Sequence, residues 1–106
     1  MGNDQERTQD ASTIVLRREF PLLGPYVAPR TATERKLADI WCHALRMDQV
    51  SVNDNFEELG GDSLLAVSIF ADIEEAFGIA VPIGLIARAP TIEQLARQID
   101  TLMSRR

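Results

Sequence analysis

From position 63 to position 77 the chain follows one helical period without a break, and both ends of the run are marked. Advancing roughly 100° per residue from Ser63, the residues Ala66, Ile69, Phe70, Ile73 and Phe77 gather on one side, as in a helix that buries one face. Asp62 is a strong N-cap residue and Gly78 supplies a left-handed stop. A helix over 63–77 is therefore predicted. Leu64, Val67, Ser68, Ala71 and Glu75 fall on its opposite side. Leu64 and Val67 are apolar, point away from the predicted core and flank Ser63, which suggests a docking surface for a partner. Gly60 and Gly61 precede the cap and read as a hinge where backbone can come close. Ser63 then stands at the positive end of a helix, a favourable place for a phosphate. That makes it a candidate attachment point for a phosphate-linked group, with Gly61 and Asp62 as its flanking residues.

Two further helices share this logic. Thr31-Ala32-Thr33-Glu34 fits a capping box and opens a helix over 32–46, with Leu37, Ile40, Trp41, Ala44 and Leu45 as its apolar face. Thr91-Ile92-Glu93-Gln94 is a second box, opening a helix over 92–103 with Ile92, Leu95, Ala96, Ile99 and Leu102 buried. Pro82 suits the first position of a brief helix over 83–87. Between the first two helices lies a long loop, 47–61, anchored by Val50, Val52, Phe56 and Leu59, with turn chemistry at Asn53-Asp54-Asn55. The expectation is an all-α fold: a small four-helix bundle of three longer helices and one short one, with a long loop between the first and second. Residues 1–30 are polar and then broken by Pro21, Gly24, Pro25 and Pro29, so they read as a flexible tail or linker. The domain is placed at 31–103, leaving 104–106 as a C-terminal tail.

At 106 residues the chain fits one small domain. Cys42 is the single cysteine and His43 the single histidine, which excludes an internal disulfide and a structural zinc site, so no metal is expected. With no long apolar run and no apolar signal-peptide core, neither a membrane span nor secretion is expected, and the cytoplasm is the default location. The net charge of −5 is unevenly spread. Residues 47–87 hold Asp48, Asp54, Glu57, Glu58, Asp62, Asp72, Glu74 and Glu75 and no lysine or arginine. Such a block argues against nucleic acid and favours a basic protein partner.

The stretches Tyr26-Val27-Ala28-Pro29-Arg30-Thr31, Asp54-Asn55-Phe56, Leu59-Gly60-Gly61-Asp62-Ser63-Leu64-Leu65-Ala66 and Ala89-Pro90-Thr91-Ile92-Glu93-Gln94-Leu95-Ala96 together resemble a carrier protein. More narrowly, they are similar to the peptidyl carrier, or thiolation, domains of nonribosomal peptide synthetases. The resemblance spans about residues 26 to 102. It implies that Ser63 carries 4′-phosphopantetheine, joined to it by a phosphopantetheinyl transferase using coenzyme A. It also implies an amino or acyl group held on the arm as a thioester. An adenylating or acyl-transferring enzyme loads that group, and condensation or tailoring enzymes use it. The protein itself is then a monomeric, non-catalytic shuttle. Position 62 is Asp where many peptidyl carriers have His. Asp is usual in acyl carriers, so a polyketide or fatty-acid type carrier remains the alternative. Arg17-Arg18-Glu19-Phe20-Pro21 resembles the end of an adenylation domain, which leaves a free-standing carrier and a piece of a larger synthetase both open.

Two other readings compete. Gly61-Asp62-Ser63-Leu64 also spells the nucleophile block of GDSL hydrolases, but these need a histidine base oriented by an acid late in the chain. Here His43 precedes the serine, with Asp39 one turn away on the same predicted helix. A plain helical interaction module, with Asp62 and Ser63 acting only as a cap, accounts for the helices but not for the paired glycines or the outward Leu64.

Overall fold

Capping chemistry sets where each long helix begins. The computed structural model describes residues 13–105. Thr31 is extended and its hydroxyl accepts the Glu34 N–H at 3.0 Å, starting α1 (Ala32–Leu45). The Glu34 carboxylate accepts the Arg30 N–H at 2.8 Å and also pairs with the Arg30 guanidinium. That side-chain bond from Arg30, working against burial, holds the Glu34 carboxyl below the usual carboxylate range. Asp62 is likewise extended and accepts the Leu65 N–H at 2.9 Å, opening α2 (Ser63–Phe77), which Gly78 ends in the left-handed conformation. Thr91 caps α4 (Ile92–Ser104) by accepting the Gln94 N–H, while the Gln94 side chain accepts the Thr91 hydroxyl. These three helices match their predicted spans to within one residue.

The short helix α3 (Leu85–Arg88) starts two residues later than predicted. Pro82 does open a turn, but its carbonyl accepts from Leu85, Ile83 from Ile86 and Gly84 from Ala87. These tight i→i+3 bonds carry the chain through a 3₁₀-like turn before one α-helical turn forms. The predicted helix over 32–46 stops one residue early because Arg46 takes the left-handed conformation, with φ of 57°. Its carbonyl is thereby turned to accept the Val15 N–H at 2.7 Å.

α1 packs against both α2 and α4. The buried face of α2 is the predicted one: Ala66, Ile69, Phe70, Ile73 and Phe77. Leu37 and Trp41 from α1 and Ile92, Leu95 and Ile99 from α4 meet it, and Val50 and Val52 of the loop close the core from the side. Ile40, Ala44, Leu45 and Leu102 only border the core, and Ala38 is buried where no core position was expected. Phe56 and Leu59 are buried as well, so the loop 47–61 is packed down. Within it the Asn55 side chain accepts the Glu57 N–H at 2.8 Å, just ahead of the 3₁₀ turn Glu57–Leu59. Among the described residues there is no β-strand, and none of the helices is long and apolar enough to cross a membrane. The architecture is the expected small four-helix bundle.

The stretch read as a flexible tail or linker behaves differently where it is described. Residues 1–12 lie outside the described residues. From Val15 onward the chain is tied to the bundle: Val15 forms an isolated parallel bridge with Met47, and the Asp48 N–H donates to its carbonyl at 3.1 Å. Arg17, at the start of the 3₁₀ turn Arg17–Glu19, is buried and forms a two-pronged salt bridge with Asp54, both contacts at 2.7 Å. Val27 exchanges bonds with Ser51 and Val52. Punctuation by proline marks an absence of regular structure, and here a specific ion pair nevertheless fixes an irregular path.

Ile73 is fully buried between the helices. Ile73→Ala should lower the unfolding free energy by about 2–5 kcal/mol, measured by urea denaturation followed through helical circular dichroism.

Candidate functional site

The turn that leads into α2 is built by two glycines with separate duties. Gly60 has φ of 92° and ends the 3₁₀ turn Glu57–Leu59, a conformation that side chains with a Cβ resist. Gly61 meets a different demand: a Cβ there would overlap the Phe56 ring. Its N–H donates to the Phe56 carbonyl at 3.0 Å. The Phe56 ring in turn packs edge-on against Trp41, with centroids 5.5 Å apart, and the Phe56 N–H donates to the Pro90 carbonyl. The pair predicted as a hinge is therefore a fixed corner seated on the core.

Beyond that corner Asp62 is exposed and engaged as the cap. Ser63 is exposed as the first residue of α2. Because the Leu65 and Ala66 N–H groups bond the side chain and carbonyl of Asp62, the N–H groups of Ser63 and Leu64 remain as the helix's outward donors. Leu64 is 81% and Val67 55% exposed, and Ser68, Ala71 and Glu75 are exposed on the same side. The predicted outward face thus comes together beside the serine. Glu74, next to it, is engaged elsewhere, since its carboxylate accepts the Val81 N–H at 3.0 Å.

A groove of about 690 Å³ opens at Ser63. One wall is α2, with Ala66 and Val67; the other is formed by Ile83, Ile86, Ala87 and Pro90. Glu57 and Asp62 stand at its mouth, and no basic side chain lines it. The wall from Ile83 to Pro90 was not anticipated. A short apolar run after Pro82 was its only sign, and that does not say where α3 docks.

Among the described residues, the groove lining at Ser63 includes the carboxylates of Glu57 and Asp62 but no histidine. His43 is exposed on α1 and does not line the groove. Cys42 is half-buried and burial, aided by Asp39 and Asp48, pushes its thiol up to about 11, so it stays protonated at neutral pH. Among the described residues there is no group of three or more His, Cys, Asp or Glu that could hold a metal ion. The arrangement presents a hydroxyl open to solvent at a helix N-terminus. This geometry fits a phosphate ester: two backbone donors, the helix dipole and open space above the oxygen.

Comparison with known proteins identifies the family. Residues 35–99 match the family described as "phosphopantetheine attachment site". Indigoidine synthase of Streptomyces lavendulae is 43% identical over 76 residues, which is 72% of this chain and 6% of the synthase. A peptidyl carrier protein, solved in complex with the phosphopantetheine transferase Sfp and coenzyme A, superposes with a TM-score of 0.69. It has 36% identity, and the match covers 72% of this chain and 99% of that one. A four-domain nonribosomal peptide synthetase, solved with AMP and glycine bound, has a TM-score of 0.72 and 37% identity over 74% of this chain and 6% of its own. This chain therefore spans only a small part of the synthases it resembles.

Gly61→Ala should destabilise the protein by about 1–3 kcal/mol through the clash with Phe56. Gly84→Ala is the control: a Cβ at Gly84 meets nothing within 4 Å, and its backbone is already helical. The control should leave the melting temperature unchanged or slightly raised in the same calorimetric scan.

Proposed function

This chain belongs to the phosphopantetheine attachment-site family, and we propose that Ser63 is the residue to which the group is joined. Its function is that of a carrier in peptide assembly, with covalent 4′-phosphopantetheine as the cofactor. The observation that supports Ser63 most directly is its placement: an exposed hydroxyl at the first turn of α2, on a corner held by Gly61 and Phe56. When attached, the arm supplies a terminal thiol that holds an amino or acyl group as a thioester.

The chain's own residues divide the remaining work. Asp62 holds the first turn of α2 in place. The Ser63 oxygen attacks the pantetheine-bearing phosphorus of the coenzyme A pyrophosphate. The bond from that phosphorus to the nucleotide half breaks, adenosine 3′,5′-bisphosphate leaves, and the serine proton passes to a base on the transferase. The Ser63 and Leu64 N–H groups face the new phosphodiester. Leu64, Val67, Ser68, Ala71 and Glu75 form the surface on which the partners alternate. These are the transferase, an adenylating or acyl-transferring loading enzyme, and the condensation or tailoring enzymes that follow. A basic rim on those partners would complement Glu57, Asp62 and Glu75. The carrier unit occupies 31–103, acts as a monomer and works in the cytoplasm. A tethered arm lets such a unit serve several sites at high effective concentration.

The decisive test is mass spectrometry of the intact chain after incubation with coenzyme A and a phosphopantetheinyl transferase. One phosphopantetheine should be added to the wild type and none to Ser63→Ala, which should melt within a degree or two of the wild type because this residue makes no core contact. An unmodified wild type would refute the assignment.

The docking surface has its own test. Leu64→Asp should reduce kcat/KM for loading by about tenfold or more without changing the melting temperature. The rate is read by the same mass assay at several carrier concentrations.

A further inference from the structure

A buried ion pair joins a residue outside the span that matches the family to one inside it. Arg17 precedes the matched span, 35–99, and its partner Asp54 is inside it. The Asp54 side chain is 3% exposed and the Arg17 side chain 10%. Arg17 Nε and one terminal nitrogen reach the two carboxylate oxygens at 2.7 Å each, and the same terminal nitrogen also donates to the Gly24 carbonyl at 2.8 Å. The Arg17 N–H donates to Asp48. One arginine thus closes the segment 17–24 into a strap and fastens it at both ends of 48–54.

The fastened loop leads directly to the serine. Asp54 also accepts the Ser51 N–H at 3.0 Å, while the Ser51 hydroxyl accepts from Val27 and the Val52 N–H donates to the Val27 carbonyl. On its other side the loop is tied to the start of α4, with the Glu93 N–H donating to Val52 and the Phe56 N–H to Pro90. Two residues beyond Asp54 comes Phe56, whose ring sets the position of Gly61. A contiguous series of hydrogen bonds and contacts therefore joins Arg17 to the corner that carries Ser63.

We propose that Arg17 is a positioning residue for Ser63: by latching the strap onto Asp54 it keeps the loop 48–61 in the form on which a modifying enzyme docks. Removing Arg17 leaves a buried carboxylate without its cation, a state that a chain relieves by letting water in. The loop would then open while the helices persist, and a docking enzyme would have to order it again. The cost falls on association rather than on the chemical step, so KM rises while kcat holds. This inference rests on Ser63 being the attachment point, and one of its two readouts is independent of that point.

The test uses the full chain as wild type, Arg17→Ala, Arg17→Lys and the double variant Arg17→Ala/Asp54→Asn. The first readout is amide hydrogen exchange. Exchange at Ser51, Val52, Asp54 and Phe56 should accelerate by about tenfold or more in Arg17→Ala, while amides in the middle of α2 exchange at the wild-type rate. The second is transferase loading, where KM for the carrier should rise by about tenfold with kcat within about twofold. Arg17→Lys, which keeps the charge but loses the fork, should fall between. The double variant, which no longer buries an unpaired charge, should recover part of the loop protection. Uniformly faster exchange across α2 and the loop would mean a merely structural role and would overturn the proposal, as would wild-type KM in a folded Arg17→Ala. Should Arg17→Ala fail to fold, Arg17→Lys decides on the same two readouts, and wild-type behaviour in both overturns the proposal. Failure of the wild type to accept the group at all would instead strike at Ser63, and the exchange pattern would still judge the latch.

Discussion

The Phe56 ring is the contact on which the site depends. It stands edge-on to Trp41 in the core and leaves no room for a side chain at Gly61. A fifteen-residue helix such as α2 (Ser63–Phe77) has ample apolar surface to bury, but burial alone fixes a helix only to within a rotation or a slide. The ring removes that freedom at the end that matters. It ties the corner before Asp62 to the same core that α1, α2 and α4 share, so the exposed hydroxyl is presented from a rigid base.

The surroundings of Ser63 are poor in catalytic means and rich in recognition features. Carboxylates stand at the groove's mouth, with no lysine or arginine in its lining, and the histidine is on another helix. Such a surface fits the carrier role proposed above, in which negative charge would steer the encounter with an enzyme and a few exposed apolar side chains would set brief contacts. Val67 on one wall of the groove and Ile83 on the other give those contacts a shape, with Leu64 exposed outside the groove.

What could be read in advance was what local chemistry decides. Asp62, Gly78 and the apolar period between them placed α2 to the residue, because a cap, a stop and a stripe each act within a few positions. The position of Ser63 at its start came from the same residues. The short helix α3 was shifted because a 3₁₀ turn and an α-turn share their opening residues, and packing chooses between them. Gly61 was noticed for its freedom, whereas its constraint comes from a ring that approaches only in the folded state. Arg17 and Asp54 are 37 positions apart, and a pair of adjacent arginines ahead of a proline-rich stretch carries no period that would announce a partner. Irregular structure held by one ion pair is the kind of order that pattern reading passes over.

Cys42 adds one more consequence. Acyl groups move between sulfurs through the thiolate, and a thiol whose pKa is pushed to about 11 is ionised in only about one molecule in ten thousand at neutral pH. The Cys42 thiol is therefore a poor acceptor for an acyl group at neutral pH. Were Ser63 to bear the proposed arm, half-burial on α1 would keep that thiol out of thioester exchange with it.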